Sequence, residues 1–498
     1  MSAHRGRRRS TVALAGVAAV ALLAGACSSG DDEASDGSGD GGAAAGIECP
    51  VDALESADGP VEVVMWHSDI GLPKITLEKL AQQYNDSQDK VVVQTEYQGT
   101  FEEQVKKYED AMADPGSLPD IVAPDDTSTQ FMADSGTVIP AAACIEADPD
   151  AAALYDDLQP IFTAAYSIDD TLWPASASAA GASMYVNEKH FTDAGLDPAS
   201  LPGTLDELRA TAEAIKAANI PGLETPMVFR IEAWPLEFWT SGAEQAVVNN
   251  DNGRSALATT SEYANDTTLE IYEWLIGMEA DGLMRIFDTA DVISPFLAVA
   301  NQTASILIDT SAAISTVNGA IEGTLTGEQI GEEELGDLSG FVFPDLKVGV
   351  GGMPGLDAPG KGQMGGAAWY VVNGEDPEKI AAVWDFIKWF NQPEQQVTWA
   401  IESSYFPLNM TAAEDPRLQA YWTDTRPGRW MAIAYDAFEN LDTNFPGPVI
   451  GPYKQFREAV RRALADILLE GGDPADAMAT VDEKLQEELD AYALDVQG

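Results

Sequence analysis

The chain has 498 residues and carries 27 Lys+Arg against 82 Asp+Glu, a formal net charge of −55. A field of that sign repels phosphate backbones and argues against nucleic-acid binding. Hydrophobic residues at 45% supply ample core, and the length suits two or three domains, but three Cys and three His leave little for zinc, iron–sulfur or haem ligation.

Residues 1–26 read as an export signal. Arg5, Arg7, Arg8 and Arg9 form a basic start with no acid. The apolar run Thr11–Leu23 follows, shorter than the ~20 residues a spanning helix needs. Ala24-Gly25-Ala26 then supplies small residues for cleavage. Small residues directly before Cys27 resemble a bacterial lipobox, with Ala24 where Leu is usual. That resemblance implies a diacylated Cys27 and a chain anchored to the outer face of the cell membrane. The adjacent arginines also raise twin-arginine export, but the rest of that motif is absent. Residues 27–46 are small, acidic and Gly-rich, which makes a self-repelling tether. Outside the cytoplasm the two remaining cysteines, Cys49 and Cys144, are expected to form a bridge.

From Val61 the pattern alternates. Val61–Trp66, Lys90–Tyr97 and Asp120–Val122 read as strands. Pro73–Tyr84, Phe101–Met112 and Thr127–Ser135 read as helices. Such alternation predicts a mostly parallel sheet wrapped by helices, with ligands beyond the carboxyl ends of the strands. Trp66-His67-Ser68 and Pro124-Asp125-Asp126 fall at such ends. Leu172–Ser178 suits a crossing segment. Thr204 and Glu207 are spaced as a capping box for a helix over Leu205–Asn219. Further helices fit Pro235–Ser241, Thr267–Ala280 and Val292–Asn301. Ala304–Ile308 reads as a strand, Gly349–Gly366 as a long loop, Ala367–Val372 as a strand and Pro377–Phe390 as a helix. The end is helical over Pro452–Leu469 and Asp473–Tyr492.

Several stretches in order resemble the extracellular solute-binding proteins of bacterial ABC importers, in the carbohydrate-binding group. They include WHSDIGLPKITLEKLAQQYND, PDIVAPDDTSTQFMADSGTVIP, MYVNEKHFTDAGLDPASLPGTLDELRATAEAIKAA, ASILIDTSAAIS, GAAWYVVNGEDPEKIAAVWDFIKWF and SSYFPLN. The resemblance implies an α/β fold of the periplasmic-binding-protein type: two α/β lobes, three crossing segments and a ligand cleft between the lobes. Lobe one is expected at 47–176 plus 310–373, and lobe two at 177–309 plus 374–498. It also implies a monomer that captures a sugar or related polyol and hands it to a membrane permease, with no cofactor, no metal and no chemistry on the ligand.

A sugar has apolar faces that stack on aromatic rings and hydroxyls that bond to carboxylates and amides. Candidate stacking residues are Trp66, Trp173, Trp234, Trp239, Trp369, Trp430 and Tyr453. Each alone is more often core than site. Candidate polar partners are His67, Asp125, Asp126, Asp309, Ser311 and Tyr405, and Gly366 offers close backbone approach. Asp125-Asp126 equally suits a solvated helix cap, and His67 a bonded core histidine. WHS and YQGTFEE also resemble the glycerol-phosphate branch of the family, which places an arginine in the late loop. Asn444–Pro448 has no basic residue there, although Arg230, Arg426 or Arg429 would serve. A glycoside hydrolase is the rival from another class, but adjacent acids arise by chance in so acidic a chain. Gly360–Gly365 matches G-x-G-x-x-G without the strand before it and helix after it that phosphate binding requires.

Overall fold

The computed structural model describes residues 46–291, 293–330, 343 and 345–497. The export signal, Cys27 and the tether up to Ala45 lie outside the described residues. Among those described, no helix is long and apolar enough to cross a membrane.

Thirteen strands are described, and two sheets carry the fold. In the first lobe β1 (Val61–His67), β2 (Val91–Tyr97), β3 (Ile121–Ala123) and β4 (Val138–Ile139) come in chain order. β5 (Ser167–Ile168) and β6 (Thr171–Leu172) form a separate hairpin, and β7 (Ser176–Ala180) follows. In the second lobe come β8 (Ala182–Asn187), β9 (Thr225–Arg230), β10 (Met284–Phe287), β11 (Ala304–Thr310) and β12 (Val348–Gly352). β13 (Gly365–Val372) returns to the first sheet. The sheet orders are β2-β1-β3-β13-β4, with β7 on β13, and β10-β9-β11-β8-β12. β1 is parallel to β2 and β3, and β9 is parallel to β10 and β11.

Alternation sets β1 in place. Val61, Val63, Met65 and His67 are buried while Glu62 is exposed. Val63 and Met65 share the first core with Ile121, Val371, Leu77, Tyr84 and Phe386. The central strands of the second sheet, β9, β11 and β8, are buried on both faces, as strands covered by helices on both sides must be. The complete capping box lies at Thr100 and Glu103. At Thr204 the side chain does accept from the Glu207 amide, but the Glu207 carboxylate bonds the Gly203 amide instead.

The chain passes between the sheets at Gly181, where β7 gives way to β8. It returns through 353–364, between β12 and β13. Phe406 bridges Ala179 on the way to helix Arg426–Glu439, which packs on β12. Two expectations change here. The start of the expected loop Gly349–Gly366, placed in lobe one, belongs to Val348–Gly352, a strand of the second sheet antiparallel to β8. Its alternating glycines masked the strand pattern. Helices Pro377–Phe390 and Pro393–Ser403, placed in lobe two, pack on β1, β13 and helix Gly71–Ser87 of the first. The expected disulfide is present: Cys49 and Cys144 are bonded, with Cα atoms 4.9 Å apart. It pins the segment before β1 to helix Ala141–Ala147.

Candidate functional site

Register brings the strand ends together. His67 lies opposite both Tyr97 and Ala123, so His67-Ser68-Asp69 and Asp125-Asp126 emerge from one edge of the first sheet. Arg230 lies opposite Phe287, and Leu307 opposite Val228, so Arg230 and Asp309 emerge from one edge of the second. Between the lobes a narrow recess, open to solvent, is lined by Asp126, Thr129, Tyr166, Arg254, Gln363 and Tyr453 among others.

Behind two of these lining residues, Gln363 and Tyr453, lies Glu237, on helix Trp234–Gly242 and only 2% exposed. Arg457 donates to it twice, from Nε to Oε1 at 2.8 Å and from Nη2 to Oε2 at 2.7 Å. The Tyr453 hydroxyl donates to Oε2 at 3.1 Å and the Gln363 amide at 2.8 Å. Tyr453 and Arg457 stand one turn apart on helix Tyr453–Ala465, with the guanidinium 5.1 Å from the ring centroid. Arg457 Nη1 also reaches toward the first lobe, 3.9 Å from Asp125. Burial works against the Arg457 charge, and the Glu237 carboxylate overcomes it and lifts the pKa.

Asp125 accepts from the Thr127 and Ser128 hydroxyls, both at 2.7 Å, so it braces its own turn while Arg457 approaches it from the second lobe. Asp126 is pushed up to about 7, by burial first; Arg457 opposes this while Asp125 and Glu237 add to it. Tyr405 is half-buried, its ring flat on Trp399 at 5.5 Å, and burial, then Asp69 and Asp126, raise its pKa. Asp309 is buried and raised by burial, with the Thr310 amide and Arg230 opposing. His67 is buried and lowered to about 4, by burial and then Lys74.

Other candidates sit elsewhere. Trp173, Trp239, Trp369 and Trp430 are buried in the core. Trp239 donates its indole N–H to the Pro354 carbonyl at 2.9 Å and packs on Phe229 and Trp274. Trp369 lies 4.2 Å from the Phe390 ring. Indoles are large apolar bodies, and helices on both sides of each sheet take them inward. Trp66 and Trp234 are only half-buried, and Trp66 donates to Glu96 at 3.1 Å. Ser311 accepts from the Gly181 amide at 3.0 Å, and so braces the crossing point instead of facing a ligand. Gly366 has φ +132°, and a Cβ there would lie 1.7 Å from the Ser178 carbonyl oxygen. Close pairing of β13 with β7 therefore demands this glycine.

Four site residues escaped the sequence reading. Glu237 carried a signal, a lone acid inside the apolar run WPLEFWTSG. Arg457 carried another, four residues after Tyr453. Asp69 follows a strand end by two residues. Arg254 had none: its guanidinium bonds the carbonyls of Ala164 at 3.0 Å, Ala165 at 3.2 Å and Gly447, and burial lowers its pKa to about 10.

Known proteins share this fold. The sn-glycerol-3-phosphate-binding periplasmic protein UgpB of Yersinia enterocolitica is 23% identical over 428 residues, 84% of this chain and 90% of that one. The sugar-binding protein MalE of Xanthomonas citri superposes with TM-score 0.69 at 14% identity, over 88% of this chain and 99% of that one. UgpB of Mycobacterium tuberculosis, solved with glycerophosphocholine, superposes with TM-score 0.67 at 15% identity, over 88% and 100%. The profile of the bacterial extracellular solute-binding proteins matches residues 79–425. The chain belongs to the bacterial extracellular solute-binding protein family.

Proposed function

We propose that this protein is the lipid-anchored, monomeric receptor of an ABC importer, and that it captures a sugar or related polyol between its lobes for delivery to the permease. The basic start, short apolar run and lipobox-like Cys27 support the anchor. Interlobe capture follows from where the strand ends meet. The protein binds its ligand without altering it. Ligand touching both lobes shifts the balance toward the closed form, which the permease reads.

One observation carries the choice of ligand. The Arg457 guanidinium, which reaches across the gap toward Asp125, is already matched, bidentate, by Glu237. An anion entering there would have to displace a buried carboxylate that two further donors hold. Hydroxyls meet no such barrier, and Asp126, Tyr405 and Tyr453 offer them partners. The same pairing argues against glycoside hydrolysis, since Glu237 is locked to a cation and not poised to give a proton.

Glycerol phosphate or a glycerophosphodiester is the second reading. The relative named for glycerol-3-phosphate favours it, as does an arginine, Arg254, in the recess lining. A thermal-shift screen of mono-, di- and oligosaccharides beside glycerol phosphates separates the two, because a ligand of the native state raises its melting temperature. Stabilisation by sugars or polyols is the expected outcome. Stabilisation by phosphorylated compounds alone would reverse the order.

A further inference from the structure

Arg254 sits where the two lobes meet, and it binds across the junction. Its own segment stands with the second lobe. The Ser261 hydroxyl donates to Asp482 of the last helix at 2.6 Å, and that helix packs on helix Asp266–Ala280, which packs on β10. The partners of Arg254 lie elsewhere. Its guanidinium donates from Nε to the Ala164 carbonyl at 3.0 Å and from Nη2 to the Ala165 carbonyl at 3.2 Å, at the end of helix Pro160–Tyr166. Nη1 donates to the Gly447 carbonyl of the late loop. The Arg254 carbonyl accepts from the Asp169 amide, in the turn between β5 and β6, at 2.7 Å. That helix and hairpin stand with the first lobe: the Trp173 amide bonds the Tyr166 carbonyl, and the Ala175 amide bonds the Trp369 carbonyl of β13. Arg254 thus joins two segments, distant in sequence, to its own, and all of them line the recess, through Ala165, Tyr166, Arg254, Pro446, Pro448 and Val449.

The backbone that presents this side chain is strained. Asn250, Asp251 and Asn252 have φ of +58°, +54° and +55°, consecutive residues in the left-handed region, and Gly253 follows at +87°. A non-glycine residue there is unfavourable, and such strain persists only where the surroundings over-determine it. Here they do. The Asn252 side-chain oxygen accepts from the Val247 and Val248 amides at 3.0 and 3.3 Å, and the Asn250 side-chain amide donates to the Leu257 carbonyl at 2.8 Å. The Asn252 carbonyl takes the Val449 amide at 2.9 Å, and a Cβ at Gly253 would lie 1.9 Å from the Val449 carbonyl oxygen. The turn is pressed against the late loop, and the next side chain is carried to the helix end. Helix ends hold unpaired carbonyls and partial negative charge, and a guanidinium fork answers both.

We infer that Arg254 is a positioning residue for solute capture: it fastens the lobes in this arrangement and sets the recess wall, and it does not itself hold a charge on the solute. This rests on the receptor reading above and extends it. The acceptors are neutral carbonyls, so the fastening is indifferent to what charge the solute carries.

The test uses the full-length protein with Arg254→Ala, Arg254→Lys and Gly253→Ala. Small-angle scattering without ligand is expected to give a larger radius of gyration for Arg254→Ala than for wild type. Arg254→Lys should fall between them, because an ammonium is a point donor without the planar fork. Gly253→Ala leaves the guanidinium in place, pushes the turn off Val449 and is expected to open the lobes as well. Calorimetry with glucose, maltotriose and sn-glycerol 3-phosphate reads the consequence for binding. Any of these probes that binds wild type is expected to bind Arg254→Ala about tenfold or more weakly, neutral and charged probes alike. Should Arg254→Ala not fold, Arg254→Lys and Gly253→Ala carry the same comparison. An unchanged radius of gyration overturns the inference and leaves the receptor reading intact, since no ligand enters that measurement. A loss confined to sn-glycerol 3-phosphate also overturns it and makes Arg254 an anion ligand. If no probe binds wild type, the sugar and phosphate readings fall, and scattering still decides the role of Arg254.

Discussion

Glu237 and Asp69 show two opposite treatments of a buried carboxylate. Glu237 receives four hydrogen bonds, two of them from a guanidinium. Removing one partner of such a pair strands the other charge, so Glu237→Ala is expected to cost about 3–5 kcal/mol in chemical denaturation. Asp69 receives none. Burial raises its pKa from 3.8 to about 7, so between those values the folded state holds a proton that the unfolded chain has released. Stability from this group therefore falls as pH rises through that window, and the loss is complete above it. Asp69→Asn is expected to melt higher than wild type at pH 8, by an amount on the order of 4 kcal/mol at most, and the gap should close as pH falls toward 4. His67, lowered to about 4, acts in the reverse sense but is common to both proteins. A gap that is constant with pH would contradict the assignment. Asp126 and Tyr453, which line the recess, were legible as candidates because a strand end and a proline-bounded helix start are common places for a cleft residue. Four of the candidate tryptophans, Trp173, Trp239, Trp369 and Trp430, lie in the core, because composition marks an indole as sticky without saying which side of a sheet it faces.

Helices and strands with whole turns of regular pattern were visible in the sequence. Helix Leu205–Ala217 begins where Thr204 predicts, and Pro377–Phe390 has the ends expected of it. β12 was hidden because glycine removes the side chains by which alternation is recognised, and helices Pro149–Asp156 and Pro416–Asp424 are too short to show a period. The disulfide was legible from compartment and count. It closes a loop whose ends are 95 residues apart. Chain-entropy reasoning gives such a crosslink about 4–5 kcal/mol. Reduction, or Cys49→Ser with Cys144→Ser, is expected to lower the denaturant midpoint by a corresponding amount while leaving ligand affinity in place, since neither cysteine lines the recess.

At the scale of the molecule, the lobes are tied across the gap by a bond between residues outside the recess lining. The Tyr492 hydroxyl, on the last helix, donates to Asp134 of the first lobe at 2.8 Å. A hydrogen bond to a charged group contributes about 1.5–3 kcal/mol. Tyr492→Phe is therefore expected to shift the unliganded protein toward an open form and to weaken solute affinity about tenfold or more. Small-angle scattering should show a larger radius of gyration without ligand and an unchanged one at saturation. An unchanged affinity would show that this tie does not report closure.

What the chain determined by itself was local and additive: alternation, capping, charge, cysteine count and the order of elements, each readable within a short window. The tertiary structure alone decided which acids lost their solvent, which found a cation and which side of each sheet took the indoles. Burial and pairing depend on residues hundreds of positions apart, as Glu237 and Arg457 are, and only folding brings those neighbours within reach.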